Sequence, residues 1–198
     1  MSTQVKRYIS PDEYLSLERQ AVSKSEYFNG EIFAMTGASR KHNLVAGNTF
    51  WLLREQLKNG PCEIYISDMR VKVTATGLYT YPDIVVVCGE PQFEDEEVDT
   101  LVNPTVLIEV LSTSTERYDR IAKTSYYRTL DSLTEHLLVA QHEICVEQYV
   151  REPNGQWTQF EYRSLDAVVE LKSIGCSLRL RDVYDKVTID PNYRPEPR

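Results

Sequence analysis

The chain has 198 residues, enough for one domain with a core of its own. Apolar residues make up 41% of it and charged residues 26%, which excludes a disordered, collagenous or coiled-coil chain as a whole. The net charge is −8, from 22 basic and 30 acidic side chains, which argues against broad non-specific binding to nucleic acid but leaves room for a local basic groove or an acidic cation pocket.

Ser10-Pro11-Asp12-Glu13 is the first start signal. Ser10 suits an N-cap, Pro11 the first helical position, and Glu13 completes a capping box. Tyr14, Leu15 and Leu17 give that short helix an apolar side. Residues 25–28 and 31–35 flank Asn29-Gly30, the pair best suited to a two-residue turn, and predict a hairpin. Leu44, Val45, Asn48, Trp51, Leu52 and Glu55 recur at helical spacing and predict a helix over 39–58, stopped by Gly60-Pro61. Stretches 63–67 and 69–74 alternate and read as strands. Residues 81–88 read as a strand with Pro82 at its start, and 90–99 as an acidic, solvated loop. A strand over 105–111 follows. Ser112, Ser114 or Thr115 can cap a helix running to Leu130, in which Tyr118, Ala122, Tyr126 and Leu130 repeat every fourth residue. Residues 135–140, 144–151 and 156–162 read as strands, with a turn at Pro153-Asn154-Gly155. Residues 1–190 form one domain in this reading, and 191–198 a loose proline-rich tail. The pattern predicts an α+β or α/β fold: a mixed sheet whose central strands are covered by helices.

Two strands carry a carboxylate where packing alone would not put one. Asp83 opens Ile84-Val85-Val86-Val87, which is apolar on both faces. Glu109 sits inside Val106-Leu107-Ile108-Glu109-Val110-Leu111, flanked on its own face by Leu107 and Leu111. An ionised carboxylate there costs several kcal/mol unless it is paired, protonated or bound to a cation. Its structural alternative is a buried ion pair that only holds the fold. Together the two acids suit a hard cation such as Mg²⁺, which takes one or two carboxylates plus water and phosphate. Lys123 follows on the next helix, four residues after Asp119. It either pairs with Asp119 on the surface or reaches the acids, where it would position a water or stabilise phosphoryl charge. Arg117, Arg120 and Arg128 on the same segment could add phosphate contacts. Glu26 and Glu31 flank the hairpin turn, Glu31 as a solvent-facing residue and Glu26 as a further ligand. His42 reads first as a cap-region residue. Cys62, Cys88, Cys145 and Cys176 stand alone by spacing, and Cys88 reads as a small core residue. The longest apolar run, 84–88, is far short of the ~20 residues of a membrane span. With no apolar leader at the N-terminus, a cytoplasmic setting is expected.

Taken together, Glu26-Tyr27-Phe28-Asn29-Gly30-Glu31-Ile32, His42, Tyr81-Pro82-Asp83-Ile84-Val85-Val86-Val87, Ile108-Glu109-Val110-Leu111-Ser112 with Ser114-Thr115, and Asp119 with Lys123 resemble the Uma-two group of restriction-endonuclease-like proteins. That group belongs to the PD-(D/E)XK nuclease superfamily, and the resemblance spans roughly residues 8–185. It implies a restriction-endonuclease-like mixed sheet flanked by helices, with Asp83 and Glu109 binding Mg²⁺ or Mn²⁺ and no small-molecule cofactor. It implies DNA as substrate, and a homodimer would suit the two strands of a duplex. In the wider superfamily a lysine lies two residues after the second acid, where this chain has Leu111. The group places it on the following helix, which maps to Lys123. Glu26 matches an early acid of the group and is carried as an extra ligand for metal or water. The rival expectation is a catalytically inactive nuclease-fold protein that serves as a nucleic-acid-binding or assembly module.

Overall fold

The computed structural model describes residues 7–113, 115–189 and Tyr193. Ser114, one of the three candidate caps, and the tail apart from Tyr193 lie outside the described residues. Ser10 caps α1 (Pro11–Glu18) by accepting from the Glu13 amide, with proline in the first turn. β1 (Ser25–Phe28) and β2 (Glu31–Ala34) close around Asn29 and Gly30, at φ 49° and 84°. Both residue types tolerate that left-handed backbone. α2 (Arg40–Leu57) is capped by Ser39, whose hydroxyl accepts from the His42 amide.

The chain then lays down β3 (Cys62–Ile66), β4 (Arg70–Val73), β5 (Leu78–Thr80), β6 (Ile84–Cys88), β7 (Thr100–Leu101) and β8 (Val106–Leu111). The predicted helix over 112–130 is broken into α3 (Glu116–Tyr118), a π-helical turn (Asp119–Lys123) and α4 (Thr124–Tyr127). Thr124 explains part of the widening, since its hydroxyl donates to the Asp119 carbonyl at 2.9 Å. β9 (Glu135–Ala140), β10 (Val146–Arg151) and β11 (Trp157–Tyr162) follow, then the hairpin β12 (Val168–Leu171) and β13 (Cys176–Arg179), and α5 (Leu180–Val183).

Six strands form a mixed sheet in the order β11-β10-β9-β8-β6-β3. β8 and β9 are parallel, joined by the broken helix as a crossover, and the other neighbours are antiparallel. A second sheet, β2-β1-β5-β4-β7, packs on one face. The predicted strand over 81–88 is shorter than expected because Tyr81, Pro82 and Asp83 carry the chain from one sheet to the other.

Strand alternation divides the core. Ile84, Val86, Val106, Ile108 and Val110 pack with Val45, Leu53 and Leu57 of α2 and with Val169, Leu171 and Leu178 of the last hairpin. Val85, Val87 and Leu107 point the other way, against Val71, Val73 and Leu78 of the second sheet and Tyr127 of α4. Glu109 shares the parity of Leu107, so it faces the second sheet and α4.

Two expectations are corrected. Cys62 and Cys88 do not stand alone: they are register partners on β3 and β6, and a disulfide joins them. Their separation of 26 positions hid the pairing in the sequence. The acidic loop is not simply solvated either. Arg19 bonds Asp95 and Asp99 at 2.8 Å, and the buried Arg70 pairs with Asp99 at 2.8 Å. Among the described residues no helix is long and apolar enough to cross a membrane.

Candidate active site

The β6–β8 register pairs Ile84 with Ile108 and Val85 with Leu107. Continued by one residue, it sets Asp83 across from Glu109. Asp83 leaves the second sheet just as β6 begins, and its Oδ2 accepts from the Val110 amide at 2.7 Å. The same oxygen lies 3.2 Å from His42 Nε2, so the first turn of α2 reaches the site. Glu109 is 4% exposed. Its Oε1 accepts from the Tyr127 hydroxyl at 2.6 Å and from Lys123 Nζ at 3.3 Å. Lys123 Nζ is also 2.8 Å from Glu26 Oε1 and 3.6 Å from Asp119 Oδ1. Thr80 donates to Glu26 Oε1 at 2.5 Å. The hairpin, the sheet crossover, β8 and the π-helical turn thus each deliver one acid to a single compartment, with Lys123 at its centre.

Electrostatics follow from this crowding. Burial pushes Glu109 up to about 8; Lys123 and the Tyr127 hydroxyl oppose the rise, while the charges of Asp119 and Asp83 add to it. Burial likewise raises Asp119. For Lys123, burial works against the charged form, but Glu109, Glu26 and Asp119 outweigh it and raise its pKa well above the usual lysine range. His42 is also raised, because Asp83 overcomes the cost of burial. The compartment holds more carboxylate than its cations balance, which suits a hard divalent cation. Asp83 and Glu109, with Glu26 and Asp119 beside them, are the oxygens that could hold one.

Tyr127 and Thr80 escaped the sequence reading. Tyr127 stands four residues after Lys123, a helical spacing that could have signalled a shared face. Thr80 gave no comparable signal. Glu31 is half-buried at the turn end of β2, and Arg128 lies over the Tyr149 and Trp157 rings. Arg120 instead pairs with Glu116 and with the buried Glu147. Among the described residues, one set of three metal-ligating side chains has its ligand atoms within 4.8 Å of one another: Cys145, Glu147 and Glu161. That set fits a cation poorly. Arg120 already neutralises Glu147, and burial pushes the Cys145 thiol up to about 11.

A mixed sheet with helical cover, with a carboxylate–lysine cluster between it, the second sheet and the broken helix, defines an α+β protein. The same fold is seen in the crystal structure of a "putative nuclease belonging to DUF820" from Anabaena variabilis, with a TM-score of 0.74 and 21% identity, covering 91% of this chain and 99% of that one. The family model described as "Uma2: Putative restriction endonuclease" matches residues 11–181, and the chain belongs to that family. Two uncharacterized proteins of Synechocystis sp. are similar along most of their length. One, sll1609, is 37% identical over 164 residues, 83% of this chain and 93% of its own. The other, slr1290, is 36% identical over 176 residues, 89% of this chain and 91% of its own.

Proposed function

We propose that this chain is a metal-dependent endonuclease that hydrolyses phosphodiester bonds in DNA, with Asp83 and Glu109 holding Mg²⁺ or Mn²⁺. The observation that carries the reading is the buried cluster of Glu109, Glu26 and Asp119 around Lys123, set beside Asp83. Buried charges are costly, and four acids are hard to explain as architecture alone. A bound divalent cation supplies polarisation of the scissile phosphate and a more acidic water. The protein's own groups do the rest. The Val110 amide and His42 fix the Asp83 carboxylate. The Tyr127 hydroxyl fixes Glu109, and Thr80 fixes Glu26. Lys123 orients the attacking water or stabilises charge on the phosphoryl oxygens. Glu26 is a further ligand for metal or water. A homodimer completes the reading, since two sites suit two strands.

The test is cleavage of plasmid DNA by purified protein in Mg²⁺ or Mn²⁺, with chelator and Asp83→Ala as controls. Cleavage that needs the metal and falls at least a hundredfold in the variant supports the proposal. Equal nicking by both proteins overturns it. The net charge of −8 favours a second reading, an inactive nuclease-fold protein that binds nucleic acid or assembles with partners. Retention of DNA without cleavage in either metal would select that reading.

A further inference from the structure

Lys123 stands where the acids converge. Its side chain is 7% exposed, and its ammonium lies 2.8 Å from Glu26, 3.3 Å from Glu109 and 3.6 Å from Asp119. These are ammonium distances. Magnesium needs oxygens at about 2.0–2.1 Å in near-octahedral array, so the acids must draw inward to hold it. Consistent with that spacing, no three of these acids have ligand atoms within 4.8 Å of one another. The ammonium is therefore a spacer as well as a counter-charge. An ammonium and a divalent cation sharing Glu109 would stand a few ångström apart in a buried site, where repulsion is little screened.

A half-exposed aromatic ring borders the ammonium where it stands among the acids, on the side toward solvent. Lys123 Nζ lies 5.9 Å from the centre of the Tyr118 ring, and Tyr118 is 39% exposed. Both residues belong to the same broken helix, and a four-carbon stem can swing its head from buried acids to an exposed aromatic face.

We propose that Lys123 is a built-in placeholder cation: its ammonium occupies the carboxylate cluster in the metal-free protein, lowers the site's affinity for divalent cations, and moves out toward Tyr118 when one binds. The inference rests on the assignment of Glu109 as a metal ligand. It adds that the lysine is presented at the mouth of the site only once that site is loaded, which ties phosphate contact to metal occupancy.

The experiment is titration of the purified full chain with Mn²⁺, followed by calorimetry and electron paramagnetic resonance, in the wild type and in Lys123→Met. Methionine keeps the length of the side chain and removes the charge. The expected result is Mn²⁺ binding at least tenfold tighter in the variant. Unchanged or weaker binding overturns the placeholder while leaving the metal site standing. Absence of Mn²⁺ binding in both proteins overturns the site assignment and the placeholder together. Should Lys123→Met fail to fold, the wild type decides the matter through acetylation with an amine-reactive ester, read by peptide mass spectrometry. Lys123 is expected to be protected without metal and labelled at least tenfold faster with Mn²⁺ or Mg²⁺. Protection that stays or increases on adding metal overturns the proposal.

Discussion

Glu109 and its neighbours divide the work of one buried cluster, and substitutions should separate their parts. Glu109 meets two attractive groups, Lys123 and the Tyr127 hydroxyl, and two repulsive ones, Asp119 and Asp83. Glu109→Gln keeps the shape and removes the charge, while Lys123 keeps Glu26 and Asp119. The expected thermal midpoint is equal to or higher than that of the wild type, with Mn²⁺ affinity lowered at least tenfold. A melting curve with and without Mn²⁺ checks both halves, and a large loss of stability would mean a structural ion pair. Tyr127→Phe leaves Glu109 Oε1 with Lys123 as its remaining donor and should cost about 1 kcal/mol in urea titration. At this scale the sequence was informative about charge and uninformative about its partners. Glu109 stood out because its own strand is apolar, and Asp83 because it opens another such strand. Tyr127 could not stand out in the same way. A tyrosine among tyrosines reads as core lining, and its hydroxyl gains meaning only when β8 is placed beneath α4.

Strength at the level of elements comes from how strands and helix ends are tied. The Cys62–Cys88 disulfide fastens the edge strand β3 to β6, the strand that starts beside Asp83. Closing a loop of 26 residues stabilises by on the order of 3 kcal/mol in the chain-entropy account. The double variant Cys62→Ser/Cys88→Ser should therefore lose about that much, and added reductant should lower the wild-type midpoint while leaving the variant's unchanged. Ser39 ties another end. Its hydroxyl accepts from the His42 amide at 3.1 Å and meets Gln141 at 2.5 Å. Ser39→Ala should cost about 1–2 kcal/mol, measured by urea midpoint, and loosen the helical turn that carries His42. Elements built from local signals were legible: α1 from its capping box, the hairpin from Asn29-Gly30, α2 from its periodicity. β5 and β7 were not. They hold three and two residues and exist because β4 runs between them. The break in the helix after β8 was equally hidden, since every-fourth-residue spacing cannot show a turn widened to five residues by Thr124.

For the whole molecule, the arrangement hardest to read was the packing of one sheet upon another. Nothing local says that Val71, Val73 and Leu78 cover Val85, Val87 and Leu107, because strand alternation gives a face but not what lies on it. Two groups, one deeply buried and one near the surface, shape acid stability. His136 is 1% exposed and wedged between Tyr127 and Tyr149, and among the described residues neither ring nitrogen has a hydrogen-bond partner. Burial above all, with the charges of Arg128 and Lys123, pushes it down to about 3. Asp99, paired first with Arg19 and then with Arg70, is held well below the usual carboxylate range. In both cases the unfolded chain binds the proton more readily than the folded one, so stability rises with pH through each window. The contribution of neutral His136 is complete above about pH 6.5 and is lost as pH falls toward about 3. That of Asp99 is complete above about pH 4 and is lost only below it. Glu109 runs the other way, since its raised pKa adds stability as pH falls from about 8 toward 4.5, so the histidine is read as a difference between wild type and variant in urea titrations from pH 7 down to pH 3. The histidine's own share is a loss of about 2 kcal/mol between pH 6.5 and pH 5. His136→Phe fills the same aromatic slot without a titrating group, so its stability relative to the wild type should rise by about that much from pH 6.5 to pH 5, while the acid limb below pH 4 stays in place. A difference between wild type and variant that stays constant over that window would mean that His136 does not contribute to it.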